Sequence, residues 1–125
     1  MERKPASKRF AISKRKRNNT TLGNDFEAQA AQELRTLGWS ILSQQYHTPY
    51  GEIDIVAQKE ELLWFVEVKG SSTSVIDAVN LKKQSRIRKS ITHWFMEHTP
   101  VFEAFEVVVC FRTTQGLDWI VGAFE

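Results

Sequence analysis

Two apolar-rich runs joined by a short charged connection limit what this chain can fold into more than any other feature. Gly51-Glu52-Ile53-Asp54-Ile55-Val56-Ala57 and Leu62-Leu63-Trp64-Phe65-Val66-Glu67-Val68-Lys69 flank the polar stretch from Gln58 to Glu61. Their β-branched and aromatic content around such a connection is the pattern of a β-hairpin. Side chains alternate faces along a strand, so Glu52, Asp54 and Val56 share one face of the first strand, and Phe65, Glu67 and Lys69 one face of the second. A turn centred between Glu60 and Glu61 sets Asp54 opposite Glu67 and Glu52 opposite Lys69. Ile53/Val68, Ile55/Val66 and Ala57/Trp64 then pair on the other side, and a slip by one residue would break both sets.

In that register two carboxylates face each other at about 5 Å between Cβ atoms, an arrangement that destabilises a sheet unless something offsets it. A divalent cation does so: Mg²⁺ takes oxygen ligands, commonly one or two carboxylates with waters and substrate phosphate oxygens. Lys69 would stand beside it as a point charge for a phosphate and its attacking water, and the chemistry implied is metal-assisted phosphodiester hydrolysis. The plainer reading makes Glu67 and Lys69 ordinary charges on a solvent-facing strand. Leu63, Phe65 and Val56 lie on the same face as the charges, which argues for a covered face where charges need partners.

At 125 residues the chain fits one domain, and 42% hydrophobic residues with four tryptophans supply one sizeable core. The longest apolar runs, Leu62 to Val66 and Val107 to Phe111, are far shorter than a membrane span, and Phe10-Ala11-Ile12 is too short for a signal-peptide core. Cys110 is the lone cysteine, and no Cys/His cluster has zinc spacing. The expectation is a soluble, cytoplasmic protein without a membrane partner. Its net charge of +2 is unevenly placed: residues 1 to 21 hold eight lysines and arginines against one glutamate, leaving the body acidic. Residues 1–20 read as a basic disordered arm and 21–125 as the folded domain. Arg15, Lys16 and Arg17 in that arm suit contact with a nucleic-acid backbone, and equally a solubilising tail or a localisation signal.

From Thr21 the pattern turns helical. Leu22, Phe26, Ala30, Leu34 and Leu37 form a stripe that Gly38 ends, with Thr20 or Thr21 as cap. Glu27, beside Phe26, is placed to look over the sheet toward Asp54, or else into solvent. Trp39 to Tyr46 reads as a first strand, and Pro49 and Gly51 turn the chain. His47 and Tyr50 fall at the mouth of the site, where loop residues of these types are ordinarily incidental. Gly70 to Ser74 is a small-residue loop. A second helix is expected from the N-cap Asn80 to about His98, with Ile87, Ile91, Trp94, Phe95 and His98 packing on the sheet. Lys82, Arg86, Lys89 and His93 form a basic face, a track for phosphates or simply a solvated surface. Lys83 and Gln84 lie nearest the helix start, within reach of the active face. Phe105 to Arg112 and Leu117 to Phe124 read as final strands, the first apolar on both faces as in a central strand.

This order, an Asp on the second strand and Glu-x-Lys on the third, resembles the PD-(D/E)xK nuclease superfamily, which includes restriction endonucleases and Holliday-junction resolvases. The closest likeness is to the YraN-like family of small bacterial proteins. The residues that carry it are Gly23 with Glu27, Gly51 to Val56, Phe65 to Lys69, Lys83-Gln84 with Arg86-Ile87, and Phe105 to Val108. The resemblance implies an α/β, restriction endonuclease-like α-β-β-β-α-β core with a mixed sheet flanked by helices. It implies a metal-dependent nuclease, with DNA, structured or branched DNA included, as the expected substrate, although no residue here tells DNA from RNA. Asp54, Glu67 and the Val68 carbonyl would hold Mg²⁺ or Mn²⁺, Lys69 would orient or deprotonate water, and Glu27 would add a carboxylate. Glu52 and Gln84 would be accessory, and Lys82, Lys83, Arg86 and Lys89 would bind nucleic acid. A homodimer, common among resolvase-like enzymes, is a further expectation from the resemblance alone. Two departures stand out: Gly70 follows the Lys where the family usually has Arg or a large polar residue, and Glu106 replaces an Asp. The other class that fits is a nucleic-acid-binding protein that keeps the fold without cleaving.

Overall fold

The computed structural model describes residues 22–70 and 80–123. Arg15, Lys16 and Arg17, the cap at Thr20 or Thr21, the loop from Ser71 to Ser74 and the end of the last expected strand at Phe124 lie outside them.

The first helix, α1, runs Leu22–Thr36. Phe26, Ala30 and Leu34 of the predicted stripe are buried along its inner face together with Ala31, and Leu37 is partly buried against the same core. Its end is a Schellman motif. Gly38 takes φ +98°, its N–H donates to the Arg35 carbonyl, and the Trp39 N–H donates to the Leu34 carbonyl at 2.9 Å. Trp39 therefore belongs to the helix stop rather than to the first strand. Its side chain packs against Trp64, ring centroids 4.3 Å apart.

Three antiparallel strands follow, β1 (Ser40–Thr48), β2 (Gly51–Lys59) and β3 (Leu62–Lys69). The β2–β3 turn places Glu60 at φ +55°. A crossover carries the chain through the second helix, α2 (Leu81–Glu97), to β4 (Ala104–Thr113), which pairs parallel to β3, and β5 (Gly116–Val121) closes the edge antiparallel to β4. The result is a mixed five-stranded sheet in the order β1-β2-β3-β4-β5, an α/β architecture in the element order read from the sequence, with β5 as the second of the two expected final strands. Central β4 is buried from Val108 to Cys110, consistent with its apolar faces.

Each helix covers its own core. On the α1 side Trp39, Ile55, Ala57, Trp64, Val66, Val108, Cys110 and Trp119 pack with Ala30, Ala31 and Leu34. On the α2 side Val56, Leu63 and Phe65 meet Ile91 and Trp94, flanked by Ile87 and Phe95. His98 stacks on Trp94 at 4.2 Å and meets Tyr46 of β1 edge-on at 5.6 Å, so the residues expected to pack from α2 onto the sheet do so. Asn80 caps the helix, its side chain accepting from the Lys83 N–H at 3.1 Å. His93 leaves the basic face: its Nδ1 lies 3.2 Å from the Tyr46 hydroxyl, which also donates to Glu97. Among the described residues no helix is long and apolar enough to cross a membrane.

Candidate metal centre

The β2–β3 ladder follows the register read from the sequence over five pairs, from Lys59/Leu62 to Ile55/Val66. Beyond Ile55 it departs. The expected pairs Asp54/Glu67, Ile53/Val68 and Glu52/Lys69 give way to a side-chain contact, in which the Val68 N–H donates to Asp54 Oδ2 at 2.8 Å. On the other neighbour, β1, Gln45 takes φ +50° between the pairs Gln44/Ile55 and Tyr46/Ile53. This local twist ends the strict alternation of β2. Ile53 and Val56, three positions apart, both bury in the α2-side core, while Ile55 buries under α1. An Asp carboxylate can displace a ladder bond because it is a stronger acceptor than a carbonyl for a backbone N–H.

The freed end of β2 collects carboxylates. Ligand oxygens of Glu27, Glu52 and Asp54 all lie within 4.8 Å of one another. Glu27 is buried on the first half of α1, which settles the choice between sheet and solvent left open by its place in the sequence. It shares hydrogen bonds with Asp54 and Gln45. Two carboxyl groups can be bonded only through a proton held between them. Burial pushes Asp54 up to about 7, against the lowering effect of the Val68 N–H, and the neighbouring Glu27 and Glu52 raise it further. Glu27 is raised as well, by burial first. Three clustered hard oxygen donors, two of them sharing a proton, suit Mg²⁺ or Mn²⁺, which would replace that proton.

Glu67 is outside this trio but close enough to Asp54 to feel its charge. Burial and then the charge of Asp54 push it up to about 7, while Lys69 opposes the shift; Lys69 Nζ lies 3.2 Å from Glu67 Oε2. Glu67 and Lys69 line a cleft of about 180 Å³ between the sheet and α2, together with Glu52, Tyr50, Lys83 and Arg86. Glu52 is thus the link, belonging to the trio and to the cleft alike. The Val68 N–H is engaged with Asp54, and the carbonyl expected as a ligand is a separate group of the same residue. Gln84 is half-buried and outside the cleft lining, and Lys82, Arg86 and Lys89 are exposed on α2.

Three features were not anticipated from the sequence. Gln45 bonds to the buried Glu27, and only its positive φ betrays the twist. Thr48 and the buried Ser90 approach at 2.9 Å, tying the β1–β2 turn to α2. Arg112 reaches over the Phe26 ring, at 5.0 Å, and a side chain on Gly70 would meet the same ring at 3.9 Å. The parallel β3–β4 pairing sets Phe111 beside Lys69, so Arg112 brings a guanidinium next to the position where Gly70 lacks one. The parallel crossover would have had to be assumed to foresee that.

Comparison with known proteins places residues 26–110 on the profile of the uncharacterised protein family UPF0102. A UPF0102 protein of Nitrobacter winogradskyi is 45% identical over 86 residues, covering 67% of this chain and 72% of that protein. One from a Synechococcus species is 34% identical over 118 residues, covering 82% and 89%. One from a Bradyrhizobium species is 40% identical over 87 residues, covering 68% and 63%.

Proposed function

The chain belongs to the YraN-like family UPF0102, which is uncharacterised, so its activity has to be read from its own residues; we propose that it is a metal-dependent nuclease of the PD-(D/E)xK type acting on DNA. The observation that carries this is the convergence of Glu27, Glu52 and Asp54 within 4.8 Å, with Lys69 in the adjoining cleft. A fold that needed only stability has no use for this cluster, because burial and the neighbouring carboxylates raise the cost of ionising Glu27 and Asp54.

In this reading Asp54, fixed by the Val68 N–H, is the central ligand of Mg²⁺ or Mn²⁺, with Glu27 and Glu52 beside it. Glu67 adds negative charge at the same place and holds the Lys69 ammonium in the cleft. A bound cation would lower the pKa of a coordinated water and offset charge developing on the phosphate. Lys69 orients that water and faces the phosphate oxygens. Lys82, Lys83, Arg86 and Lys89 give α2 a phosphate-binding side, and Arg112 gives the α1 side a matching cation. The basic arm of residues 1–20, with Arg15, Lys16 and Arg17, adds contacts that carry no sequence information.

A cleavage assay over single-stranded, duplex, flap and four-way DNA with Mg²⁺ or Mn²⁺ tests this. The expected result is metal-dependent cleavage that Asp54→Ala and Lys69→Ala abolish while binding in Ca²⁺ persists. Binding by the unaltered protein with no cleavage on any substrate would instead make it a non-catalytic nucleic-acid-binding protein. Deleting residues 1–19 should flatten the salt dependence of affinity, and an unchanged slope would remove the arm from the binding surface.

A further inference from the structure

Tyr50 sits in the two-residue turn between β1 and β2 and is 47% exposed. It belongs to neither core, yet its backbone is tightly fixed. The Tyr50 and Gly51 N–H groups both donate to Thr48 Oγ1, at 3.0 and 3.1 Å. That hydroxyl is 2.9 Å from Ser90 Oγ, and Ser90 is buried in α2. Gly51 completes the turn at φ +150°, and a side chain there would approach the same Ser90 hydroxyl at 3.8 Å. A turn tied to a helix in this way fixes where the Tyr50 side chain leaves the backbone, at the cleft it lines with Glu52, Glu67 and Lys69.

The cleft is about 180 Å³, below the roughly 300–1,000 Å³ of pockets that enclose a whole small ligand. It has room for a sugar-phosphate segment, and the attached base must lie at the rim. Lys89 Nζ stands over one face of the Tyr50 ring, 5.7 Å from its centroid. From this placement, and resting on the nuclease reading above, we infer that Tyr50 stacks a base next to the scissile phosphate. The substrate strand is therefore single-stranded or splayed at that nucleotide. A base within a duplex has both faces covered by its neighbours and offers none to a fixed ring.

The test measures binding of the full chain, in Ca²⁺, to a short single strand, to the same strand with one abasic position scanned along it, and to a blunt duplex. Tyr50→Ala should weaken single-strand binding by about tenfold and leave duplex binding within twofold. Tyr50→Phe should behave as the unaltered protein, and an abasic position at one register should reproduce the loss without any mutation. Equal losses on strand and duplex, or no loss on either, would overturn the inference. If the unaltered protein cleaves DNA through Asp54 while Tyr50→Ala cleaves single strands equally well, only the Tyr50 assignment fails. If the unaltered protein neither binds nor cleaves nucleic acid, the nuclease reading fails and Tyr50 stacking with it.

Discussion

At its turn end the β2–β3 hairpin pairs Lys59 to Ile55 with Leu62 to Val66 without a break, and Trp64 is buried there between Trp39 and Trp119. At its open end, one residue past Ile55, the same strands exchange a ladder bond for an Asp54 carboxylate and gather Glu27 and Glu52 around it. One end lowers the energy of the fold by burying apolar surface. The other raises it by burying acids, and crowding of this kind collects at functional sites rather than at structural ones.

The largest effect expected from breaking the contrast is at the regular end. Trp64→Ala leaves a cavity between two aromatic neighbours and should cost about 3–5 kcal/mol of stability, read as a melting temperature lowered by well over ten degrees. Any protein that still folds should keep its metal affinity. Asp54→Asn should do the reverse. It keeps an acceptor for the Val68 N–H and removes a charge that burial disfavours, so the metal-free protein should melt no lower at pH 8 than the unaltered one, while cleavage falls by about 100-fold or more. A clear loss of stability in Asp54→Asn would mean that the carboxylate serves the fold.

The sequence made the first of these ends legible and only part of the second. A turn between Glu60 and Glu61 sets the register from Lys59/Leu62 to Ile55/Val66, and Gly38 is the residue a helix stop demands, so both could be read locally. Trp39 could not: its apolar alternation with Ile41 looks like strand, but its N–H is needed to satisfy the Leu34 carbonyl. At the open end Asp54, Glu67 and Lys69 were visible as residue types. Their grouping was not, because it depends on a side chain displacing a ladder bond, on the twist at Gln45 and on where α1 sets Glu27. Glu52, expected as accessory, lies in one cluster with Glu27 and Asp54, and Arg112 enters from a strand distant in sequence.

A pH series separates the two ends without mutation. Asp54 and Glu67 both lie near 7 in the folded chain, above the ordinary carboxyl range of about 4. A carboxyl with a raised folded value holds more protons when folded than when unfolded, so stability rises as pH falls through 7 toward 4. The metal-free protein should therefore melt several degrees higher at pH 5.5 than at pH 8. Saturating Mn²⁺ should flatten or invert that slope, because the cation competes with the protons. Trp64→Ala should keep the slope at a lower temperature, and Asp54→Asn should lose much of it. A metal-free slope of opposite sign would show that the acids are not held as crowded, partly protonated groups.

The smallest expected effect compares two helix ends of similar energetic weight. Gly38 ends α1 at φ +98°, and a side chain there would meet Lys59, at the turn end of the hairpin, at 3.5 Å. Gly38→Ala should cost about 1–2 kcal/mol through the left-handed backbone alone. Asn80 caps α2 through the Lys83 N–H, and Asn80→Ala should cost about 1 kcal/mol. Calorimetry should find the two variants lowered by comparable amounts. DNA binding should tell them apart. Fraying the first turn of α2 loosens Lys82 and Lys83, of which Lys83 lines the cleft, so Asn80→Ala should weaken binding severalfold and leave metal affinity unchanged. Gly38→Ala, far from the carboxylates, should change neither. Equal binding losses in both variants would mean that affinity tracks global stability, and the division of the molecule into a structural end and a working end would not hold for α2.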